Sequence, residues 1–131
     1  MPRTRTGFTH EQRDIVLRRS YGTCELCNSH PVGHIHHRKP RRMGGVRGLG
    51  DEDVNRVSNA LALCPSCHDQ IESERRASRD LGRLVPPGAA PDLTPVYLPR
   101  YLGWVTLADD GEVHWHQSED HARRWCDEHT T

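Results

Sequence analysis

The chain reads as a small α+β domain stapled by a metal, and three observations lead there. Two cysteine hooks, Cys24-x2-Cys27 and Cys64-x2-Cys67, are separated by 36 residues. Two short apolar or partly β-branched runs follow the first hook and precede one helical pattern. Only 34% of the 131 residues are hydrophobic and mean hydropathy is −0.83. That thin core can be supplemented by thiolate coordination, because a closed zinc site contributes folding free energy directly.

Each element has a local signal. Residues 1–8 form a basic arm carrying Arg3 and Arg5. Thr9 and Gln12 match a capping box, predicting a short helix that ends by Gly22, with Arg18 and Arg19 in its last turn. Val32–His37, bounded by Pro31 and Pro40, predicts a strand or the first arm of a hairpin. Residues 38–50 hold five basic side chains and four glycines and read as a loop, followed by a polar connector to Ser58. Asn59–Cys64 predicts a second strand, and Pro65 opens a helix from Ser66 to about Leu81, closed by Gly82. On that helix His68, Ile71, Glu72 and Arg75 share a face.

Residues 83–131 divide from this unit as a proline-rich linker or extended wrap, then an appended hairpin of Leu102–Leu107 and Glu112–His116 around Asp109-Asp-Gly111, then a tail that reads as a short helix from Glu119. Lacking a core of its own, this appendage is expected to pack on residues 1–82. No internal repeat supports a solenoid.

The formal charge of +0 is unevenly spread. Residues 1–50 carry ten Lys or Arg against three Asp or Glu, a net of +7, while the remainder is acidic. Such a half can meet a polyanion, or be a solvated arginine-rich surface. No run of apolar residues is long enough for a signal peptide or a membrane span, so a cytoplasmic protein with no membrane partner is expected. Four of the five cysteines sit in hooks, which disfavours a secreted disulfide framework.

Thiolate is a soft ligand suited to Zn²⁺, and an x2 spacing lets both sulfurs of one tight turn reach the same ion. Cys24, Cys27, Cys64 and Cys67 therefore form the expected structural zinc site. Iron–sulfur ligation has no further support in this hydrophilic, histidine-rich context. Cys126, with His121 and His129, reads as tail or as an extra ligand. Four thiolates already complete a tetrahedron, so the run His34-Ile-His36-His37 and His68 are surplus to it and call for a second site. On a regular strand His34 and His36 share one face and His37 takes the other. His34 is then an alternative to His36 in that second site.

From Cys24 to Glu72, the run Cys-x2-Cys, then His36-His37-Arg-Lys-Pro-Arg-Arg-Met-Gly-Gly, then Asn59, then Leu-Cys-Pro-Ser-Cys-His68 resembles the HNH endonuclease family in its four-cysteine, often phage-borne form. The likeness spans 49 of 131 residues, with Asn59 and His68 nine positions apart as that motif requires. It implies a ββα-metal (His-Me finger) fold with a structural zinc away from a catalytic divalent ion. It also implies His37 as general base, Asn59 as the residue fixing the base's loop, and His36 and His68 as ligands of that ion. Glu72 stands where many members place His or Asn. A carboxylate there can reach the same ion and favours Mg²⁺ or Mn²⁺. An unperturbed imidazole titrates at about 6.5 and can accept a proton from water.

The implied substrate is double-stranded DNA entered at the minor groove, hydrolysed to 5′-phosphate and 3′-hydroxyl ends. Arg38, Lys39, Arg41, Arg42 and Arg47 are the expected phosphate contacts, positioning DNA without reading its sequence. The phage association extends the expectation to DNA packaging with terminase and portal. A non-catalytic zinc-stabilised nucleic-acid-binding module is the alternative, and it has no need of His37, Asn59 and His68 at these positions.

Overall fold

The computed structural model describes residues 7–40 and 54–116. Helix α1 (His10–Ser20) starts at the expected capping box. Thr9 Oγ1 accepts from the Gln12 amide at 3.0 Å, and Gln12 Oε1 accepts from the Thr9 amide at 2.9 Å. It ends at Tyr21, whose φ of 56° lets the Gly22 amide reach back to the Leu17 carbonyl. Strands β1 (His34–His37) and β2 (Ala60–Leu63) then pair antiparallel with His36 opposite Leu61 and His37 opposite Ala60. Helix α2 (Pro65–Ser73) begins inside the second hook, with Cys64 as its N-cap and Pro65 and Cys67 in its first turn.

Instead of one helix to about residue 81, the chain breaks at Glu74 (φ −118°, ψ 57°) and resumes as α3 (Arg75–Asp80). The physical reason is the composition of the second half. After Ile71 it offers no apolar stripe, and the bend lets Ser78 turn inward, where its hydroxyl donates to the Ile71 carbonyl. At Gly82 φ is +74°, and a Cβ there would overlap the Pro95 carbonyl. Only glycine fits this close approach.

Beyond it, β3 (Val96–Leu98), β4 (Gly103–Leu107) and β5 (Val113–Trp115) form a three-stranded antiparallel sheet in that order. The β4–β5 pair is the expected hairpin; β3 was hidden because Pro95 and Pro99 bracket it. No seam falls at residue 82. One buried cluster joins Leu61, Leu63 and Ile71 to Leu84, Val96, Leu98, Val105 and Leu107. A second gathers Phe8, Val16, Val57, Ala60 and Ala62. Strand β2 therefore lies between two cores, its leucines facing one and its alanines the other. The expected tail helix falls outside the described residues.

Two buried charges knit these layers. Glu25, inside the first hook, is fully buried and accepts from Arg19 at 2.6 and 2.8 Å, from Tyr101 Oη at 2.8 Å and from the Ala62 amide at 2.9 Å. Burial together with the neighbouring Glu25 charge pushes the Tyr101 hydroxyl well above its ordinary pKa. Arg38 is the larger surprise. Expected at a DNA surface, it is fully buried, and its five N–H groups donate to the carbonyls of Gly82 (twice), Ser58, Pro91 and Thr94 at 2.8–3.1 Å. A guanidinium so committed cannot grip a phosphate, and Arg38 is corrected to a structural residue. It shares the inward face of β1 with His36, which period-two geometry dictates.

Asp109, in the hairpin turn, accepts from Arg56 at 2.6 and 2.9 Å and from the Ser58 amide at 3.1 Å. These hydrogen bonds hold its carboxyl below the usual range against the opposing effect of partial burial. Because the folded pKa is depressed, this contact stabilises above the unfolded carboxylate pKa and is lost as pH falls through the folded value. Since the pair is half-exposed, the advantage of wild type over Asp109→Ala is expected to be about 1 kcal/mol at neutral pH, shrinking below about pH 4 in urea titrations at both pH values. Arg38→Met is expected to cost at least about 3 kcal/mol, since it strands four buried carbonyls. Denaturant unfolding followed by tryptophan fluorescence measures this, and Arg38→Lys, with three donors, should recover only part of it.

Candidate metal centres and cleft

The hooks converge as expected. Their four sulfurs lie within 4.8 Å of one another, with Cys27 Sγ 3.9 Å from Cys64 Sγ. Zn–S bonds of about 2.3 Å in a tetrahedron separate sulfurs by about 3.8 Å, so this cluster needs little movement to close on zinc. Cys24, Cys64 and Cys67 are buried and Cys27 is exposed. Burial raises the Cys27 thiol, but hydrogen bonding, led by His30 Nδ1 at 3.7 Å, outweighs it and lowers the pKa to about 6. Cys67 moves up, through burial and its neighbouring sulfurs. The hooks sit at the joints of the fold, one after α1 and one where β2 becomes α2.

The second site lies on the inward face of β1. His36, His68 and Glu72 present ligand atoms within 4.8 Å of one another, from the strand and from two successive turns of α2. His36 is 3% exposed and its Nε2 lies 3.1 Å from the Arg83 carbonyl. Burial is the main force that drops its pKa to about 4, helped by His68, His37 and Arg38 nearby, so the ring is neutral at neutral pH, as a metal ligand must be. With the half-exposed Glu72 carboxylate, this set could hold a divalent ion such as Mg²⁺ or Mn²⁺. Two imidazoles and a carboxylate suit Mn²⁺ and related ions better than an all-oxygen set would. His34 stacks on His68 with ring centroids 4.8 Å apart but lies outside the cluster of three.

Strand β1 stays regular, so His37 leaves on the opposite face. There its ring stacks on Phe8 at 4.4 Å and its Nε2 lies 3.0 Å from Asn55 Oδ1. Even so, an open cleft of about 270 Å³ wraps the end of the strand and is lined by His36, His37, His68, Glu72 and Arg75 as well as Ile35 and Pro40. Arg75 donates to Glu72 at 2.8 Å. Asn59 is fully buried. Its Oδ1 accepts from the Lys39 amide at 2.7 Å and its Nδ2 donates to the Lys39 and Val54 carbonyls at 3.1 and 2.8 Å. It thereby ties together the residues on either side of segment 41–53.

Of the expected phosphate contacts, Lys39 is half-buried with Nζ 3.5 Å from the Ala89 carbonyl, and Arg41, Arg42 and Arg47 fall outside the described residues. Asn55, Phe8 and Arg75 were not singled out for function by the sequence. Asn55 lies 18 positions from His37 in the chain and Phe8 comes from before α1, and only folding brings them to that ring. Comparison with protein-family models, with curated proteins and with solved structures finds no match to this chain. Among the described residues no helix is long and apolar enough to cross a membrane.

Purified protein is expected to carry one tightly held zinc, lost together with cooperative folding in Cys64→Ser. His36→Ala is expected to keep that zinc. Metal analysis alongside thermal unfolding separates the two centres.

Proposed function

We propose that this protein is a metal-dependent DNA endonuclease of the HNH type, with zinc in the four-cysteine cluster as a structural element. The observation that carries the reading is the convergence of His36, His68 and Glu72 on one small volume, in a cleft also lined by His37 and separate from the thiolates. A thiolate staple alone has no use for that second donor set. The order β1, β2, α2, with His36 and His37 on the first strand and His68 on the helix, supports this reading.

In this reading His36, His68 and Glu72 would hold a divalent ion, Mg²⁺ or Mn²⁺, which would supply Lewis-acid stabilisation of charge developing on the phosphate oxygens. His37 accepts the proton of the attacking water from the neighbouring wall of the cleft. Asn59 takes no part in proton transfer. It holds Lys39 and Val54, and with them the end of β1 that presents His37. Arg41, Arg42 and Arg47, which follow Lys39 in the sequence, remain the proposed backbone contacts on double-stranded DNA. Action in phage DNA packaging beside terminase and portal, in the cytoplasm of an infected cell, extends the proposal.

Plasmid nicking or cleavage is expected in Mg²⁺ or Mn²⁺ and to be absent in chelator that leaves the zinc in place. His37→Ala should lower the rate by about 10²- to 10⁴-fold with zinc content unchanged and cooperative unfolding retained. Equal cleavage by wild type and variant removes His37 from the chemistry. No cleavage of DNA by folded, zinc-loaded protein in any divalent ion would leave the non-catalytic zinc module as the better reading.

A further inference from the structure

What His37 meets behind β1 is a built support. Phe8, 1% exposed, lies over the imidazole with an interplanar angle of 15°. Asn55, 9% exposed, brings Oδ1 to 3.0 Å from His37 Nε2. Asn55 is itself held from two sides. Its main-chain carbonyl accepts from Gln12 Nε2 at 2.7 Å, while Gln12 Oε1 serves the capping box of α1. Gly7, with φ of +94°, backs the carboxamide so closely that a Cβ would stand 3.0 Å from Oδ1 and 3.1 Å from Nδ2. The first turn of α1, the residues before it and the segment leading to β2 thus converge on one ring.

An amide oxygen has only lone pairs to offer, so the nitrogen facing it must carry the hydrogen. The contact therefore selects between the two neutral tautomers of the imidazole, and the nitrogen left as acceptor is Nδ1. We propose that Asn55 is a positioning residue: its Oδ1 holds His37 in the Nε2–H tautomer, and Phe8 fixes the ring plane, so that Nδ1 is the proton acceptor. The consequence for cleavage rests on the nuclease reading, whereas the tautomer itself does not. An imidazole stacked merely to fill space beside Phe8 would have no need of a carboxamide fixed by Gln12 and Gly7.

The test uses the full chain, zinc-loaded and labelled with ¹⁵N in its histidine rings, at a pH where His37 is neutral. Long-range ¹H–¹⁵N correlation spectra assigned through His37→Ala are expected to show the Nε2–H pattern in wild type. Asn55→Ala should mix the two tautomers and lower kcat about 10- to 100-fold with KM little changed. Asn55→Asp, which keeps an oxygen acceptor, should retain the Nε2–H pattern. Zinc content and thermal midpoint show that each variant is folded, and if Asn55→Ala is not, the wild-type and Asn55→Asp spectra decide. An Nδ1–H pattern in wild type overturns the proposal. So does Asn55→Ala with unchanged tautomer and kcat, an outcome that leaves a His37-dependent nuclease standing. Expected spectra without cleavage in any protein support the contact and count against the nuclease reading instead.

Discussion

The guanidinium of Arg38 is the constraint on which the arrangement turns. Removing that charge from water is costly unless its donors are all met, and here five hydrogen bonds meet them with main-chain carbonyls of four residues. Those carbonyls belong to the end of α3, the turn before β2 and the proline-rich wrap. One side chain therefore joins three segments that hydrophobic burial alone would leave free to slide. Because Arg38 follows His37 directly, the same bonds fix where β1 stops and how its last residues face.

From that anchored strand the two sets of chemistry separate cleanly. The inward face of β1 brings His36 to His68 and Glu72, and the outward face brings His37 to Phe8 and Asn55. The period-two problem is resolved without a kink. The cleft bends around the strand end, so residues on opposite faces line one space. The thiolates sit at the joints that hold the hairpin and α2 together. In the proposed reading, a metal there would act on the fold, and one at the histidines would act on a ligand in the cleft.

Much of this was legible because its signals are local. The capping box at Thr9, the thiolate hooks, the paired strands and the Asp109 hairpin each depend on residues within one turn or one short run. Other features were not. Strand β3 is short, and prolines on both sides mask its apolar alternation. The break at Glu74 shows only where Ser78 turns inward to the Ile71 carbonyl, since the polar half after Ile71 still has helical propensity. Arg38 sits in a stretch rich in basic residues and glycine, and nothing in its neighbourhood distinguishes a buried guanidinium from a phosphate contact. Glu25 was likewise hidden, since an acid inside a cysteine hook reads as solvent-facing until Arg19 from the end of α1 and Tyr101 from 76 positions on meet it.

By itself the sequence determined which residues can bind metal and where the first helix, the β1–β2 pair and the last hairpin lie, because ligand spacing, capping and turn signals act over a few residues. Tertiary structure alone decided which of those residues share a space. It set His36, and not His34, among His68 and Glu72, gave His37 its supports, and took Arg38 from the surface to the interior. The reason is that burial and hydrogen-bond satisfaction are settled by partners 18 to 56 positions away in the chain, and no local pattern encodes them.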